Sequence, residues 1–379
     1  MMKKMAYRLR EICDIVAGGT PATRNDAFWN GEISWITPAD LSQHHARYIF
    51  SGERNITDIG LKKSAAKLLP VNTVLLTTRA PIGYIAIAGK EISTNQGFKN
   101  LICKKELVDY QYLYYWLSVN IEAIKNFATG ATFPELSGTT LGRIKICVPD
   151  LSTQTKIADI LSAYDDAIEN NNRRIKILEQ MAENLYKEWF VRMRFPGHET
   201  AEYENGLPKG WKYAKLDKVF TVCYGKDHSK IGDGTIPVYG SGGIMRYCDK
   251  NLYDGESVLI PRKGSLNNIL WVNEPFWTVD TMFYTKALIS NIEKYVYYVL
   301  SSLDMESFNT GAALPSMTTD ILYHLKVMIP DAPLLKRFDL EVTSLFAQCA
   351  LLKEQNWNLT RQRDLLLPRL MSGKMEVLA

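Results

Sequence analysis

Two stretches of the chain repeat apolar side chains in alternating steps of four and three. The first runs Ile157, Leu161, Tyr164, Ile168, Asn171, Ile175, Leu178, Ala182, Leu185 and Trp189. The second runs Phe338, Val342, Leu345, Cys349, Leu352, Asn356, Leu359, Arg363, Leu366 and Leu370. This spacing draws one stripe along a helix and sustains it over several heptads, the pattern of a coiled-coil seam. Each segment of about 33 residues would extend ~50 Å at 1.5 Å per residue. Pro368 is expected to end or kink the second helix, because proline removes a helix hydrogen bond. Elsewhere the pattern is shorter. The runs "TVLLTT", "YIAIA", "SVLIP" and "NILWV" are β-branched or aromatic and bounded by Gly, Pro and Asn, as strands are. "AGGTP" (17–21) and "VYGSGG" (238–243) read as turns. Residues 108–127 read as a helix, with a counterpart near 292–308.

These patterns occur in duplicate. Thr129, Gly130, Ala131, Pro134, Leu141, Lys145, Pro149 and Asp150 recur 181 positions later as Thr310, Gly311, Ala312, Pro315, Leu322, Lys326, Pro330 and Asp331, without a gap. Upstream the match continues with slippage. "YLYYWLS" (112–118) resembles "YVYYVLS" (295–301), and "LREICDIVAGG" (9–19) resembles "LDKVFTVCYGK" (216–226). The first copy is longer, chiefly between Gly18 and Val74. The fold class is therefore α+β: two similar mixed, largely β domains, each followed by a long helix, in a pseudo-two-fold internal repeat. The expected boundaries are 1–152, 153–193, 194–333 and 334–379. The duplicated segment at 128–150 is the exit from a domain and hands over to the helix at Pro149–Asp150. Its residues should serve geometry, with Thr129 and Thr310 as the exceptions that could touch a ligand.

The helices have alternative uses. Each could pack on its own globular domain, or coil with another chain. The seam is long and regular, and its equivalent lies in the same molecule, which favours an intramolecular coiled coil. Equivalent modules tend to pack about a pseudo-two-fold axis. An axis perpendicular to the helices makes them antiparallel. With the coil centred near residue 173, Asn171 faces Asn356, Ala182 faces Leu345 and Leu185 faces Val342. Tyr164 would meet Arg363, whose guanidinium can stack on the ring. An Asn pair in an apolar seam specifies register at some cost in stability.

Length and composition narrow the class. A chain of 379 residues has room for two or three domains, and 46% hydrophobic content supports packed cores. The formal charge of +4 permits a nucleic-acid partner without demanding one. The cysteines at 13, 103, 147, 223, 248 and 349 contain no C-x-x-C pair, and scattered thiols fit a reducing cytosol. "MMKKMAYRLR" is basic, but no apolar stretch follows it as in a signal peptide. No apolar run approaches the ~20 residues that span a bilayer. A cytoplasmic location is expected. Histidines 44, 45, 198, 228 and 324 show no metal spacing, and no metal is expected. His44 and His45 read as loop residues. No G-x-x-x-x-G-K-[ST] phosphate loop occurs, and the glycines at 240, 242 and 243 form a turn.

Two similar domains held apart by two antiparallel struts suit a ligand with its own two-fold symmetry, such as duplex DNA. The residues then carry a resemblance. "GGTPAT…FWNGEISWITPADL" (18–41), "TTRAPIGYIAIAG" (77–89), "STNQGFKNL" (93–101), "IPVYGSGGIMRY" (236–247), "VLIPRKGS" (258–265) and "FWTVDTMFY" (276–284), interleaved with the two helices, resemble the specificity (S) subunit of type I restriction–modification systems over essentially the whole chain. The resemblance implies that each globular module is a target recognition domain for one half of a bipartite DNA sequence. It implies that the paired helices set the spacer and dock two methyltransferase (M) subunits, with restriction (R) subunits joining the larger complex. S-adenosylmethionine would bind the M subunit, and ATP and Mg²⁺ the R subunit. This chain would hold no cofactor and catalyse nothing. The "[DN]-P-P-[FY]" signature of related amino-methyltransferases is absent from the sequence. The alternative reading is a non-catalytic coiled-coil scaffold whose globular ends bind proteins.

Phosphates are met by Lys and Arg, and bases are read by Arg or Lys on guanine and Asn or Gln on adenine. The candidates in the first module are Arg24, Lys62, Lys63, Thr78, Arg79, Asn95, Gln96 and Lys99. In the second they are Lys226, His228, Lys230, Arg246, Arg262, Lys263, Ser265 and Asn267. Arg79 and the Arg262/Lys263 pair stand out, because both sit at the end of the duplicated "VLL" or "VLI" strand. Gln96 matches Asp280 or Thr281, a polar position that could instead orient the fold. Trp29, Trp35 and Trp277 are expected in the core.

Overall fold

The structure, a computed structural model, describes residues 4–44, 46–79, 81–130, 134–309, 311 and 315–377. The chain forms two compact units. One comprises Met1–Arg173 with Leu352–Ala379, and the other Arg174–Leu351. Each unit therefore holds one largely β domain together with parts of both long helices.

In the first unit five strands lie in the order Cys13–Ala17, Phe98–Cys103, Val74–Thr77, Ile85–Ala88 and Tyr48–Ile49. A three-stranded sheet orders Arg54–Ile56, Trp29–Ile36 and Ser93–Thr94. Met5–Arg8 pairs antiparallel with Lys145–Val148. The second unit repeats the plan. Phe220–Tyr224, Met282–Ala287, Glu256–Pro261 and Leu270–Asn273 form the larger sheet. Gly243–Cys248, Ile236–Gly240 and Trp277–Thr278 form the three-stranded one, and Lys212–Lys215 pairs with Lys326–Ile329. The central strands Val74–Thr77 and Glu256–Pro261 are almost wholly buried, which explains their unbroken apolar runs. Tyr48–Ile49, the additional edge strand of the first unit, falls in the longer region between Gly18 and Val74.

The expected helix at 108–127 is Tyr110–Lys125. Its counterpart is shorter, Glu293–Ser301, and is followed by a separate 3₁₀ turn at Met305–Phe308. The long helices are Leu151–Tyr186 and Ala332–Ser372, of 36 and 41 residues. The duplicated Pro-Asp starts both. Asp150 Oδ1 accepts from the Thr153 amide at 3.0 Å and Asp331 Oδ1 from the Leu334 amide at 2.9 Å, each satisfying a free helix donor. Pro368 does not end its helix, which runs on to Ser372. Buried Leu370 and Met371 anchor the final turn in the core, outweighing the single bond the proline removes.

Within each unit the helix segments run antiparallel. In the first, Asn171 Nδ2 donates to Asn356 Oδ1 at 3.0 Å, and Asn356 Nδ2 donates to Asn172 Oδ1 at 2.8 Å. In the second, the Trp189 and Phe338 rings are 5.9 Å apart, and Ala182, Leu185, Val342 and Leu345 share one core. The Tyr164–Arg363 stack does not form. Arg363 Nη1 instead donates to Asp165 Oδ1 at 2.5 Å and Nη2 to Asp364 Oδ1 at 2.8 Å, because two carboxylates attract the guanidinium more strongly than a ring face.

The first long helix closes with a π-helical turn at Lys187–Val191. That wider turn sets Trp189 and Phe190 side by side in the core with Phe195, Trp211 and Tyr295. In the first unit the corresponding helix end inserts Leu366, Leu367, Leu370 and Met371 against Leu9, Ile157 and Leu161.

Candidate nucleic-acid interface

Several loops converge at one end of each larger sheet, and matching backbone bonds show which residues correspond. Thr78 N–H donates to Gly97 O at 2.7 Å, and Arg262 N–H donates to Thr281 O at 2.8 Å. Leu136 N–H donates to Thr78 O at 3.0 Å, and Met317 N–H donates to Arg262 O at 2.8 Å. Arg79 bridges to Glu135, and Lys263 bridges to Ser316. Thr78 is thus equivalent to Arg262, and Arg79 to Lys263. The turn bonds place Gln96 opposite Asp280. The same frame explains a paired glycine. A Cβ on Gly18 would lie 2.0 Å from Asn95 O, and one on Gly225 would lie 1.9 Å from Val279 O. No side chain fits where this loop crosses the turn.

In the first unit the convergence gathers Arg79, Gln96, Lys99, Thr20 and Glu135. Arg79 is 52% exposed and donates to Glu135 Oε2 from Nε at 2.9 Å and Nη2 at 2.8 Å. Lys99 Nζ lies 3.8 Å from Glu135 Oε1. One carboxylate therefore holds two cations, and the Nη1 side of Arg79 points away from that clamp. Thr20 donates to Gln96 Oε1. Arg24, Lys62 and Lys63 are exposed on the surface of the same domain. Asn95 is half-buried and its Oδ1 accepts from Gly97 N–H at 2.8 Å, so it shapes the turn. Thr78 needs correction as a contact residue. It is 0% exposed, and its hydroxyl donates to Gly97 O at 3.3 Å.

In the second unit Arg262 lies over the Tyr224 ring at 5.4 Å and donates to Asp280 O at 3.2 Å. Lys226, Lys230 and Ser265 are exposed. Arg246 is a structural clamp: it donates to His228 O and Ile231 O at 2.8 Å and to Asp233 at 2.9 Å. Its Nε also donates to His228 Nδ1 at 3.2 Å, which occupies that ring nitrogen as an acceptor. These four bonds tie the loop at 228–233 to the neighbouring strand and hold both Arg246 and His228 in place. Asn267 caps a turn, its Oδ1 accepting from Met305 N–H at 2.8 Å. Asn267 remains exposed, whereas the Arg246 guanidinium is taken up within the domain. A polar side chain among turns finds backbone partners before it finds a ligand.

Trp29 and Trp35 are buried and meet edge to face at 5.1 Å. Trp35 donates to Gly19 O at 2.9 Å, and half-buried Trp277 donates to the equivalent Lys226 O at 2.9 Å from the partner strand of its sheet. His44 bonds Tyr48 O through its ring at 2.9 Å. His45, Ala131, Thr310 and Ala312 lie outside the described residues. Thr129 pairs with Glu135 through both backbone bonds, closing the loop of the duplicated motif. Among the described residues, no cluster of His, Cys, Asp and Glu could hold a metal ion, and no helix is long and apolar enough to cross a membrane.

The comparisons with known proteins meet this geometry. The family described as "Type I restriction modification DNA specificity domain" matches residues 1–180 and again 208–339. The chain belongs to that family. The type I restriction enzyme MjaIX specificity subunit of Methanocaldococcus jannaschii is 32% identical over 402 residues, covering 98% of this chain and 93% of the relative. The EcoprrI specificity subunit of Escherichia coli is 22% identical over 370 residues, covering 90% of each. A crystal structure of the type I restriction–modification S subunit from M. genitalium has a TM-score of 0.66 at 18% identity, covering 97% of this chain and 96% of that one. The specificity-subunit resemblance and the two-domain, two-helix fold both stand.

The residues not legible beforehand are Glu135 and the cations buried behind the domains, Arg47 and Lys294. Glu135 carried a signal, since it lies inside the duplicated motif where the second copy has Ser316. Lys294 carried a weaker one, a charge at the head of an apolar helix.

Proposed function

We propose that this chain is the DNA-reading subunit of a type I restriction–modification complex. Each recognition domain, at 1–152 and 194–333, reads one half of a bipartite duplex target. The helices, at 153–193 and 334–379, set the unspecified spacer and dock two M subunits, and R subunits join the larger assembly. The chain itself is non-catalytic and acts in the cytoplasm. S-adenosylmethionine belongs to the M subunit, and ATP and Mg²⁺ to the R subunit. The observation that carries this reading is the repetition of one sheet plan with a cation at the same strand end, Arg79 and Lys263, in a chain of the DNA specificity family. Phosphate contact needs such cations in both halves. Divergence around them, Glu135 against Ser316 and Gln96 against Asp280, fits two half-sites of different sequence.

The test combines the purified chain and its M subunit with a library of duplexes, at moderate salt. Enrichment of one bipartite sequence with a fixed gap is expected. Enrichment of a single continuous site would overturn the bipartite reading, and enrichment of nothing would overturn DNA reading and favour a protein-binding scaffold.

A further inference from the structure

Each unit contains a cation buried behind its recognition domain, and each cation reaches one aspartate on the long helix that follows that domain. In the second unit Lys294 is 3% exposed. Its Nζ donates to Glu256 Oε1 at 2.8 Å and to Asp339 Oδ1 at 2.7 Å. Trp271 covers it at 5.1 Å and donates its indole N–H to the same Glu256 oxygen at 2.6 Å. Glu256 and Trp271 belong to the sheet, whereas Asp339 belongs to the helix Ala332–Ser372. In the first unit Arg47 is buried, with Nη1 donating to Tyr115 Oη at 3.0 Å and Nη2 to Asp166 Oδ1 at 2.6 Å. The Tyr48 ring lies 4.9 Å from the guanidinium, and Tyr115 donates to Asp165 Oδ2 at 2.5 Å. Asp165 and Asp166 belong to the helix Leu151–Tyr186.

The two devices sit at non-equivalent positions of the repeat. Asp339 corresponds to residue 158, and Asp166 to residue 347, counted at the offset of 181. Different residues thus supply one arrangement twice: a buried cation from the domain, an aromatic cover and a helix aspartate. Away from the first turn of the helix Leu151–Tyr186, where Gln154 bonds Leu107 O at 3.1 Å and the Asp109 amide at 3.0 Å, the rest of each joint is largely apolar, and apolar contact is non-directional. A domain held by it alone could pivot or slide by a few ångströms at small cost. A buried cation with directed hydrogen bonds cannot follow such a slide without losing its partners.

We propose that Arg47–Asp166 and Lys294–Glu256–Asp339 are latches that fix the angle of each recognition domain on its own helix and thereby restrict the complex to one spacer length. The inference rests on the DNA-reading function proposed above. A spacer longer by one base pair displaces a half-site by ~3.4 Å and turns it by ~35° about the duplex axis. A latched domain cannot make that adjustment, and an unlatched one can. These are positioning residues that touch no base.

The experiment uses the full chain with its M subunit and measures methylation of targets whose gap is the cognate length, one shorter or one longer. Asp166→Asn is the primary variant. Asp166 is 62% exposed, so the fold tolerates the change. Asp339→Asn is its counterpart, with Lys294 keeping Glu256. The wild type should favour the cognate gap strongly. Each variant should reduce that preference about tenfold while leaving the bases of both half-sites unchanged, and Asp166→Glu should restore it. Equal loss on every gap, or an unaltered gap preference, overturns the latch. A wild type that selects no bipartite site overturns the DNA-reading function itself, so the two failures are distinct.

Discussion

The two joints between recognition domain and helix do the same job with different chemistry. In the second unit the tail of the first long helix brings Tyr186, Trp189 and Phe190 into the core. At the same positions of the repeat the second long helix brings Leu367, Leu370 and Met371 into the first unit. Three aromatic side chains in one copy correspond to two leucines and a methionine in the other. The aromatic joint opens into a π-helical turn, whereas the other stays helical past a proline. The caps and the strand-end cation are identical in placement, and the sheet plan matches apart from the extra edge strand of the first unit. Duplication has therefore held the path of the chain while the filling of each core drifted independently. A core needs volume and apolarity more than identity, whereas a cap or a close backbone crossing needs one chemistry.

The largest expected effect separates the joints directly. Trp189→Ala should cost about 3–5 kcal/mol and Leu370→Ala about 2–5 kcal/mol, each concentrated in its own unit. Hydrogen exchange reads this, with early loss of protection in 174–351 for the first variant and in the other unit for the second. Equal loss in both units from either change would show that they do not have separate cores.

A second comparison concerns the strand-end cations. Arg79→Ala should weaken recognition of one half-site only, and Lys263→Ala the other. A base contact should cost about 1–3 kcal/mol at one position, and a phosphate contact should lower the salt slope by about one. Binding titrations over a salt series distinguish these. Glu135→Gln releases Arg79 and Lys99 and should steepen the salt dependence, a change with no counterpart at Ser316.

The helix pair offers a smaller effect. Asn171→Ala should cost about 1 kcal/mol by removing a hydrogen bond from the seam. Replacing Asn171 and Asn356 together by Leu should be close to neutral in stability yet admit other registers. Disulfide trapping between cysteines placed along the two helices measures this, and a single trapped register in the double variant would count against the Asn pair.

The smallest effect is at the helix start. The Thr153 hydroxyl and amide hold the Asp150 carboxyl below its ordinary range. A depressed folded value means that its contribution is complete above the unfolded value near ~3.9 and is lost as pH falls through the folded one. Asp150→Asn should therefore lower Tm at pH 7, and the difference should shrink as pH drops below about 4. A difference independent of pH would assign the effect to something other than the charge.

Much of the architecture was legible because its signals are periodic and local. The heptad stripe, the 181-residue offset and the Pro-Asp starts need no knowledge of distant contacts. The site was less legible. "VLLTTRA" and "VLIPRKG" offer two ways to align Arg79, and only the backbone bonds from Leu136 and Met317 assign it to Lys263. Thr78 and Arg246 looked available because a polar letter does not reveal a partner many residues away. Arg47 was invisible for the same reason, since Asp166 lies 119 positions along the chain.

Replacing residues 195–332 by the corresponding segment of a relative with another target, and then determining the methylated sequence, tests the modular reading of DNA most directly. One half-site should change to that of the donor, with the other half-site and the gap retained. A change in both half-sites would contradict it.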